Sequence, residues 1–210
     1  IRLLAEASRD ASDDPEAVRR FAKRTRKEAD RLSRLVQQII ELSRLQGDEP
    51  IESPALVSLD KVVAAAIDVS TIEAEARGID IQVDGDADVE VLGSEEQLVI
   101  AVGNLVANAV AYSPDASAVM VRILRRAGDA EIHVIDQGIG IPEPDLERVF
   151  ERFYRVDPAR HRSTGGSGLG LSIVKHIAAT HGGEVSAHSV QGRGSTFILT
   201  LPLPPEEEPE

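Results

Sequence analysis

The hydrophobic periodicity of the chain changes near residue 50, and this change divides the sequence into two parts. Residues 1–46 are rich in charge and carry no strand pattern, whereas strand and helix patterns alternate from about residue 57. The intervening residues 47–54, GDEPIESP, have the prolines, glycine and acids of a linker. We therefore predict a helical part at 1–46, a linker at 47–54, an α/β part at 55–203 and a solvated acidic tail at 204–210.

The first part carries a heptad pattern. Asp14 and Pro15 provide an N-cap and a first helical residue. The positions that follow are spaced alternately three and four residues apart, and they are Val18, Phe21, Thr25, Glu28, Leu32, Leu35, Ile39 and Leu42. A two-helix hairpin of this size cannot bury such a stripe by itself, so we expect an antiparallel hairpin that pairs with a second copy into a four-helix bundle. The alternative is a helix packed on its own domain.

The second part alternates between strand and helix patterns. The predicted strands lie near residues 79–83, 89–92, 118–125, 130–136, 184–189 and 195–201, and the predicted helices near 59–77, 94–112 and 168–181. This order predicts an α+β fold, an α/β sandwich in which a mixed or mostly antiparallel sheet is covered on one face by three helices.

Composition excludes several classes of function. The formal net charge is -13, which argues against a nucleic-acid surface, because phosphate contacts need a basic face. The absence of cysteine excludes a disulfide scaffold, a thiolate metal site and a cysteine nucleophile, and it favours a reducing compartment. We see no membrane-spanning segment and no signal peptide in the sequence. Because the sequence opens without methionine inside an apolar helical pattern, we interpret it as part of a longer chain.

Two asparagines interrupt an otherwise apolar helix. Asn104 and Asn108 are four residues apart and share a face, and a capping-box pattern at Ser94 places the start of their helix. Buried amides bonded to backbone would explain them structurally. The functional alternative is an amide oxygen that binds a Mg²⁺ ion held mainly by phosphates and water.

Two glycine-rich segments follow. Asp136 ends a strand and precedes Gly138 and Gly140, so its carboxylate could accept a hydrogen bond from an exocyclic amine beside a flat ring, although a glycine turn after a strand is common. The run at 165–170 enters an amphipathic helix whose first amides would form a phosphate site, without a Walker A pattern. Residues 148–162 hold five arginines against two acids, either a polyanion site or a solvated loop.

The order of these motifs carries a family resemblance. NxxxNA, DxGxGIP, FERFYR, GGSGLGLSIVK and GxGSTF resemble, in that order, the N, G1, F, G2 and G3 boxes of the ATP-binding domain of histidine protein kinases. That resemblance implies a Bergerat-type fold with ATP and Mg²⁺ as cofactors. The first part resembles the end of the family's dimerisation and phosphotransfer hairpin. The run NLVANAVAYSP and the high arginine usage resemble actinobacterial phosphate-responsive sensor kinases.

The resemblance implies a role for each matching residue. Asn108 would bind Mg²⁺, Asn104 would lie beside the phosphates, and Asp136 would bond the adenine amine. Residues 142–167 would form a mobile lid over ATP, with Tyr154 near the base or ribose and Arg155 near the terminal phosphates. The remaining ATP-binding residues would be Gly138, Gly140, Ile141, Gly166, Gly168, Leu169, Gly170, Leu171 and Thr196.

Two departures from the family pattern limit the expected activity. Ala111 stands where the family often has a lysine, and no histidine follows the H-box pattern of the phospho-acceptor. The five histidines of the chain are His133, His161, His176, His181 and His188. We therefore expect the acceptor upstream of Ile1 and no catalytic residue in this chain, which should bind ATP without phosphorylating itself.

The resemblance also implies partners. These would be a response-regulator receiver domain and a second copy of the chain, in the cytoplasmic portion of a cell-membrane protein that meets the membrane only through other segments. Two alternatives remain. One is a nucleotide-gated interaction module without kinase activity, and the other is a different ATPase of the same fold, which would typically carry a glutamate where Asn104 stands.

Overall fold

The structure is a computed structural model that describes residues 14, 16–26, 29, 54–156 and 167–205. The chain divides into two compact units, Ile1–Gln46 and Gly47–Glu210. In the first unit, residues 16–26 are helical, and Asp14 Oδ1 accepts hydrogen bonds from the amides of Glu16 at 2.9 Å and Ala17 at 3.1 Å. These bonds satisfy the free amides of the first turn, as expected of an N-cap. The remainder of the predicted hairpin and heptad seam lies outside the described residues.

The second unit is an α+β fold, which confirms the predicted class. Its strands are β1 (Ala55–Ser58), β2 (Asp80–Gly85), β3 (Glu90–Gly93), β4 (Ala118–Arg125), β5 (Asp129–Ile135), β6 (Glu184–Val190) and β7 (Gly194–Pro202). The helices are α1 (Leu59–Ala76), α2 (Glu95–Tyr112) and α3 (Gly170–Thr180), with short 3₁₀ turns at Glu143–Asp145 and Arg148–Phe150.

The strands form a mixed five-stranded sheet and a separate two-stranded sheet. The larger sheet has the order β2-β4-β5-β7-β6, in which the β2–β4 pair is parallel and the other pairs are antiparallel. The smaller sheet pairs β1 with β3 in antiparallel register. The last of the described strands, β7, therefore lies inside the larger sheet, between β5 and β6.

The core forms where one face of the larger sheet meets the helices. Burial alternates along β4, β5 and β7, because neighbouring side chains on a strand point to opposite faces. The buried members from these strands are Val119, Val121, Ile123, Ala130, Ile132, Val134, Phe197, Leu199 and Leu201. Full burial of each large aliphatic side chain contributes roughly 1.5–3 kcal/mol.

The sequence pattern did not predict β1. Residues 55–58, ALVS, are only four long and run directly into the helix that Ser58 precedes. Their strand conformation depends on pairing with β3, a partner 35 residues later, where Leu56 faces Leu92. A segment this short carries too little periodicity to distinguish a strand from a helix start. The other predicted elements form with ends that differ from the prediction by at most two residues.

Candidate functional site

The nitrogen and the oxygen of the Asn104 side-chain amide have different neighbours, one on the backbone of α2 and the other on α3. Its Nδ2 donates a hydrogen bond of 2.8 Å to the carbonyl oxygen of Ile100, one turn earlier on α2. Its Oδ1 faces Gly170, the first residue of α3, so closely that a Cβ on Gly170 would lie only 2.7 Å from it. The NH₂ group is therefore bonded to the backbone, as the structural alternative expects. The amide oxygen lies where α2 meets the start of α3.

Asn108 lies one turn further along the same face of α2. It is half-buried, and its side-chain amide makes no hydrogen bond with another described residue. One turn beyond it, the carbonyl oxygen of Tyr112 approaches Gly138, where an added Cβ would lie 2.6 Å from that oxygen. Residues 104, 108 and 112 follow a spacing of four, so one face of α2 runs from the start of α3 to the turn after β5.

The N-terminal end of α2 is held by the end of α3. The Ser94 amide donates to His181 Nε2 at 3.1 Å, while His181 Nδ1 donates to the Ile177 carbonyl oxygen at 2.8 Å. Both ring nitrogens are therefore occupied in the neutral form. Burial lowers the pKa of His181, and the bond to Ile177 opposes that shift. The imidazole leaves no room for a Cβ on Gly93, so it closes the corner between β3 and α2.

The C-terminal end of α2 is held by an arginine. Arg77, which follows α1, donates from Nη1 to the carbonyl oxygen of Val110 and from Nη2 to that of Ser113 at 2.6 Å. Its Nε also bonds Asp115 Oδ1 at 2.8 Å. A guanidinium at this end complements the partial negative charge of the last helical carbonyls. The asparagine face is thus fixed from both ends.

Asp136 lies at the end of the central strand β5 and is 6% exposed. Its Oδ1 accepts hydrogen bonds from the amides of Gly138 at 2.7 Å and Ser195 at 3.2 Å. No described residue donates to Oδ2. Burial raises the pKa of Asp136, while the two backbone bonds lower it. Oδ2 therefore has no donor among the described residues, and a carboxylate oxygen in a buried position is a strong hydrogen-bond acceptor.

The turn after Asp136 packs tightly against the end of the β6–β7 hairpin. Gly140 has a φ of +68°, and a Cβ there would overlap the carbonyl oxygen of Val190. The Gly192 amide donates to the Ile139 carbonyl oxygen at 2.7 Å, and the Asp136 amide to that of Ser195 at 2.9 Å. Glycine is therefore required at position 140, because the backbone has a positive φ there and there is no space for a Cβ. Ile141 and Thr196, also predicted for the site, are both half-buried here.

The glycine-rich segment is described from Ser167 onward, so Gly166 lies outside the described residues. Gly168 has a φ of +76°, and its carbonyl oxygen accepts a hydrogen bond of 2.8 Å from the Phe153 amide. Leu169 is fully buried and precedes α3, whose first turn has no side-chain cap. The amides of Gly170 and Leu171 therefore begin a helix with no side-chain acceptor, an arrangement that favours an anion.

Tyr154 is held by two neighbours. Its hydroxyl donates to Asp145 Oδ1 at 2.5 Å, and the Arg148 guanidinium lies 4.2 Å from the centre of its ring. The bond to Asp145 is the main cause of a raised Tyr154 pKa, because it stabilises the protonated phenol. Arg155 is half-buried. The proposed contacts of both residues with ATP remain predictions, as does the lid, whose residues 157–166 lie outside the described residues.

The site also contains residues that sequence reasoning did not single out. Arg77, His181 and Ser195 fix the elements around the predicted residues, and Ser189 contacts the turn after Asp136. His181 precedes two glycines at the end of a helix, a weak signal for a helix terminus. Ser195 lies within the GxGSTF motif, although that motif assigned it no role of its own. Arg77 and Ser189 have no local signal, because their roles depend on contacts distant in sequence.

Asn108 suits a hard cation that phosphates also bind. A neutral amide oxygen is an ordinary Mg²⁺ ligand and does not repel a polyanion, and this amide has no competing bond to a described residue. Within the described ranges, no group of three or more His, Asp or Glu side chains is placed to hold a metal ion. None of the helices in this part of the chain is long and apolar enough to cross a bilayer.

A protein-family model matches residues 93–205. It is described as the histidine kinase-, DNA gyrase B- and HSP90-like ATPase family. The matched segment begins before α2 and includes the asparagine face, the turn after Asp136, the start of α3 and the β6–β7 hairpin.

Individual proteins that are similar to this chain include sensor histidine kinases. The sensor-like histidine kinase SenX3 of Mycolicibacterium smegmatis is 48% identical over 208 residues, covering 99% of this chain and 54% of the relative. The structure of the mycobacterial sensor histidine kinase MprB is 32% identical, with a TM-score of 0.63 over 72% of this chain and 99% of that one. Full-length ShkA in complex with AMPPNP is 26% identical, with a TM-score of 0.73 over 88% of this chain and 38% of that one. The chain spans about half the length of the curated relatives it matches.

Proposed function

Since this chain belongs to the histidine kinase-, DNA gyrase B- and HSP90-like ATPase family, as the ATP-binding part of a sensor histidine kinase, we propose that it holds Mg-ATP along the asparagine face of α2 and presents the γ-phosphate to a histidine. The two mycobacterial relatives match the actinobacterial resemblance seen in the sequence. A response to phosphate stays a prediction.

The linear arrangement of three motifs along α2 is the observation that carries this proposal. At one end, Tyr112 contacts the turn that carries Asp136 and Gly138, and at the other end Asn104 contacts Gly170. Eight helical residues separate the two contacts, which is roughly 12 Å. A nucleoside triphosphate lying along this face would place its base at the Asp136 end, its phosphates at the start of α3, and Asn108 between them.

Each end of the face suits one part of ATP. Asp136 Oδ2 would accept a hydrogen bond from the adenine amine, which a guanine carbonyl cannot donate. The uncapped amides of Gly170 and Leu171 would bind phosphate oxygens. Gly138, Gly140, Ile141 and Thr196 would line the base pocket. Gly168 and Leu169 would set the approach to the phosphates.

Asn108 would hold Mg²⁺ against the phosphates through its amide oxygen, and Asn104 would lie beside them. When bound, the ion neutralises phosphate charge in the transition state of phosphoryl transfer. The protein's own contribution is position, because phosphoryl transfer needs little covalent chemistry from the enzyme. The fixed ends of α2 supply that position.

The proposal extends to the whole protein. The acceptor histidine belongs to an H box that none of the five histidines here matches, and the phosphate then passes to the aspartate of a response regulator. A homodimer through the helical part would bring ATP and acceptor together. We place the chain in the cytoplasmic portion of a membrane sensor, with no nucleic-acid partner.

Titration calorimetry of the whole chain with Mg-ATP and Mg-GTP tests the nucleotide proposal. We expect binding of Mg-ATP, much weaker binding of Mg-GTP, and loss of the Mg²⁺ dependence in Asn108→Ala. No binding of Mg-ATP by the unaltered chain would contradict the proposal.

Radiolabelling tests the kinase reaction. The chain alone should incorporate no acid-labile, base-stable phosphate from γ-labelled ATP, whereas an added protein whose helix carries an H-box histidine should become labelled. Binding of ATP without labelling of such an acceptor would favour a nucleotide-gated interaction module. Labelling of the chain alone would show that the acceptor is misassigned, and His161 would be the first residue to test.

A further inference from the structure

Ser189 lies outside every motif of the sequence, yet its hydroxyl joins three separate groups. On β6, its Oγ accepts a hydrogen bond of 2.8 Å from the Ile141 amide and donates one of 2.7 Å to the Gly194 carbonyl oxygen. It also lies 3.0 Å from Ser195 Oγ. A hydroxyl offers one proton and two lone pairs, so these three contacts use its full bonding capacity when Ser195 donates the third bond.

The partners of Ser189 belong to the two segments that surround Asp136. Ile141 ends the turn that begins at Asp136, and Gly194 and Ser195 begin β7. Within this arrangement the Ser195 amide donates directly to Asp136 Oδ1 at 3.2 Å. The side chain of Ser189 therefore ties both segments to β6 without itself contacting Asp136.

A second contact between the same segments is made by backbone alone. The Gly192 amide bonds the Ile139 carbonyl oxygen at 2.7 Å, so the middle of the turn stays attached whatever residue stands at 189. Loss of the Ser189 hydroxyl would instead release the far end of the turn, at Ile141. It would also leave a partly buried amide and a carbonyl oxygen without their partner.

We propose that Ser189 is a positioning residue for the adenine subsite, which fixes the turn of residues 136–141 against β7 so that Asp136 Oδ2 meets the adenine amine. The proposal rests on the proposed binding of ATP along α2. Its effect should be confined to the base end of the site, because the contact between Asn104 and Gly170 involves neither the turn nor the hairpin.

The test compares Ser189→Ala with Ser186→Ala. Ser186 lies on the same strand, is also half-buried, and its hydroxyl makes no hydrogen bond with a described residue. Calorimetry is carried out with Mg-ATP and with Mg-tripolyphosphate, which lacks the base. We expect Ser189→Ala to weaken Mg-ATP binding about fivefold, the equivalent of one ordinary hydrogen bond, and to leave Mg-tripolyphosphate binding unchanged. Ser186→Ala should change neither.

A second pair of variants keeps the test decisive if alanine unfolds the hairpin. Ser189→Thr and Ser189→Val have nearly the same shape, and β-branched residues are well tolerated on strands. Only threonine retains the hydroxyl, so it should preserve ATP affinity better than valine. Equal affinity of the two variants, or an equal loss of ATP and tripolyphosphate binding, would overturn the proposal.

Hydrogen exchange without nucleotide separates this proposal from the proposed function. The Ile141 amide should exchange faster in Ser189→Val than in Ser189→Thr, while the Gly192 amide should be unaffected. This result would support the attachment of the turn even if the unaltered chain bound no ATP, in which case the proposed function alone would fail. Unchanged exchange at Ile141 would overturn the role of Ser189 directly.

Discussion

The carboxyl group of Asp136 is subject to two opposing influences. Burial raises its pKa and two backbone amides lower it, with burial the larger effect. A carboxyl whose pKa is higher in the folded state than in the unfolded state costs stability once the pH exceeds both values. Ionisation of Asp136 therefore lowers the free energy of unfolding. Such a charge is expected where a hydrogen-bond acceptor serves binding.

Asp136→Asn should separate binding from stability. Asparagine Oδ1 can still accept from Gly138 and Ser195, but the second position becomes an NH₂ group that cannot accept from an adenine amine. We expect Mg-ATP affinity to fall by about tenfold or more, and the melting temperature at pH 7 to stay equal or rise. Calorimetry and thermal unfolding measure the two effects. A lower melting temperature with intact ATP affinity would contradict this assignment.

His181 should make stability depend on pH. Burial holds the pKa of His181 in the folded state below the unfolded value near 6.5. As the pH falls, His181 is therefore protonated in the unfolded chain before it is protonated in the folded chain. This contribution to stability is fully present above about pH 6.5 and is lost as the pH falls toward the folded pKa. The free energy of unfolding, measured by urea titration from pH 7.5 to 5, should decrease accordingly.

Two glutamine variants provide the control for His181. His181→Gln removes the titrating group and should flatten this part of the pH profile, because a neutral amide does not bind the proton. His188→Gln makes the same exchange at an exposed position of β6 and serves as the matched control. Identical profiles for the unaltered chain and His181→Gln would show that His181 does not titrate between the two states.

Sequence reasoning identified the residues whose chemistry is unusual for their local pattern. An acid at the end of an apolar strand and two amides on an apolar helix stand out, because burying such a polar group costs free energy unless it is hydrogen-bonded. Ser189 and Arg77 do not stand out, since a serine on a strand and an arginine after a helix are ordinary. Their partners lie up to 48 and 38 residues away, so only the fold reveals their roles.

At the scale of elements, α2 behaves as a fixed support. Arg77 and His181 bond its two ends, and the contacts at Asn104 and Tyr112 meet α3 and the turn after β5. The periodic apolar face predicted this helix well, because its burial comes from the same residues that define the pattern. The short strand β1 could not be predicted in this way.

Two glycines on helices should respond oppositely to alanine. At Gly170 an added Cβ would lie 2.7 Å from Asn104 Oδ1, so Gly170→Ala should displace the amide and weaken Mg-ATP binding severalfold. At Gly103 no atom lies within 4 Å of an added Cβ, so Gly103→Ala should raise the free energy of unfolding by about 0.5–1 kcal/mol. Calorimetry and urea unfolding provide the two readings. Normal ATP affinity in Gly170→Ala would argue against a site at this contact.

At the scale of the whole molecule, the second unit has its own core, formed by the larger sheet and the helices α1 to α3. We expect residues 47–210 alone to bind Mg-ATP with the affinity of the full chain and to unfold at the same temperature. The full chain should differ only in mass, as a dimer through its helical part. Light scattering of both proteins at several concentrations checks this. Weaker ATP binding by residues 47–210 would show that the first unit contributes to the site.

The place of β7 inside the sheet has a consequence for synthesis on the ribosome. Of the described strands, β7 is made last, and it supplies the Ser195 amide to Asp136 and separates β5 from β6. While β7 is still within the ribosome, β6 has no neighbour to pair with, and the acid at the end of β5 lacks one of its two donors. We therefore expect a nascent chain to form the proposed nucleotide site only after β7 has left the ribosome, and a chain that ends before residue 194 to lack that site.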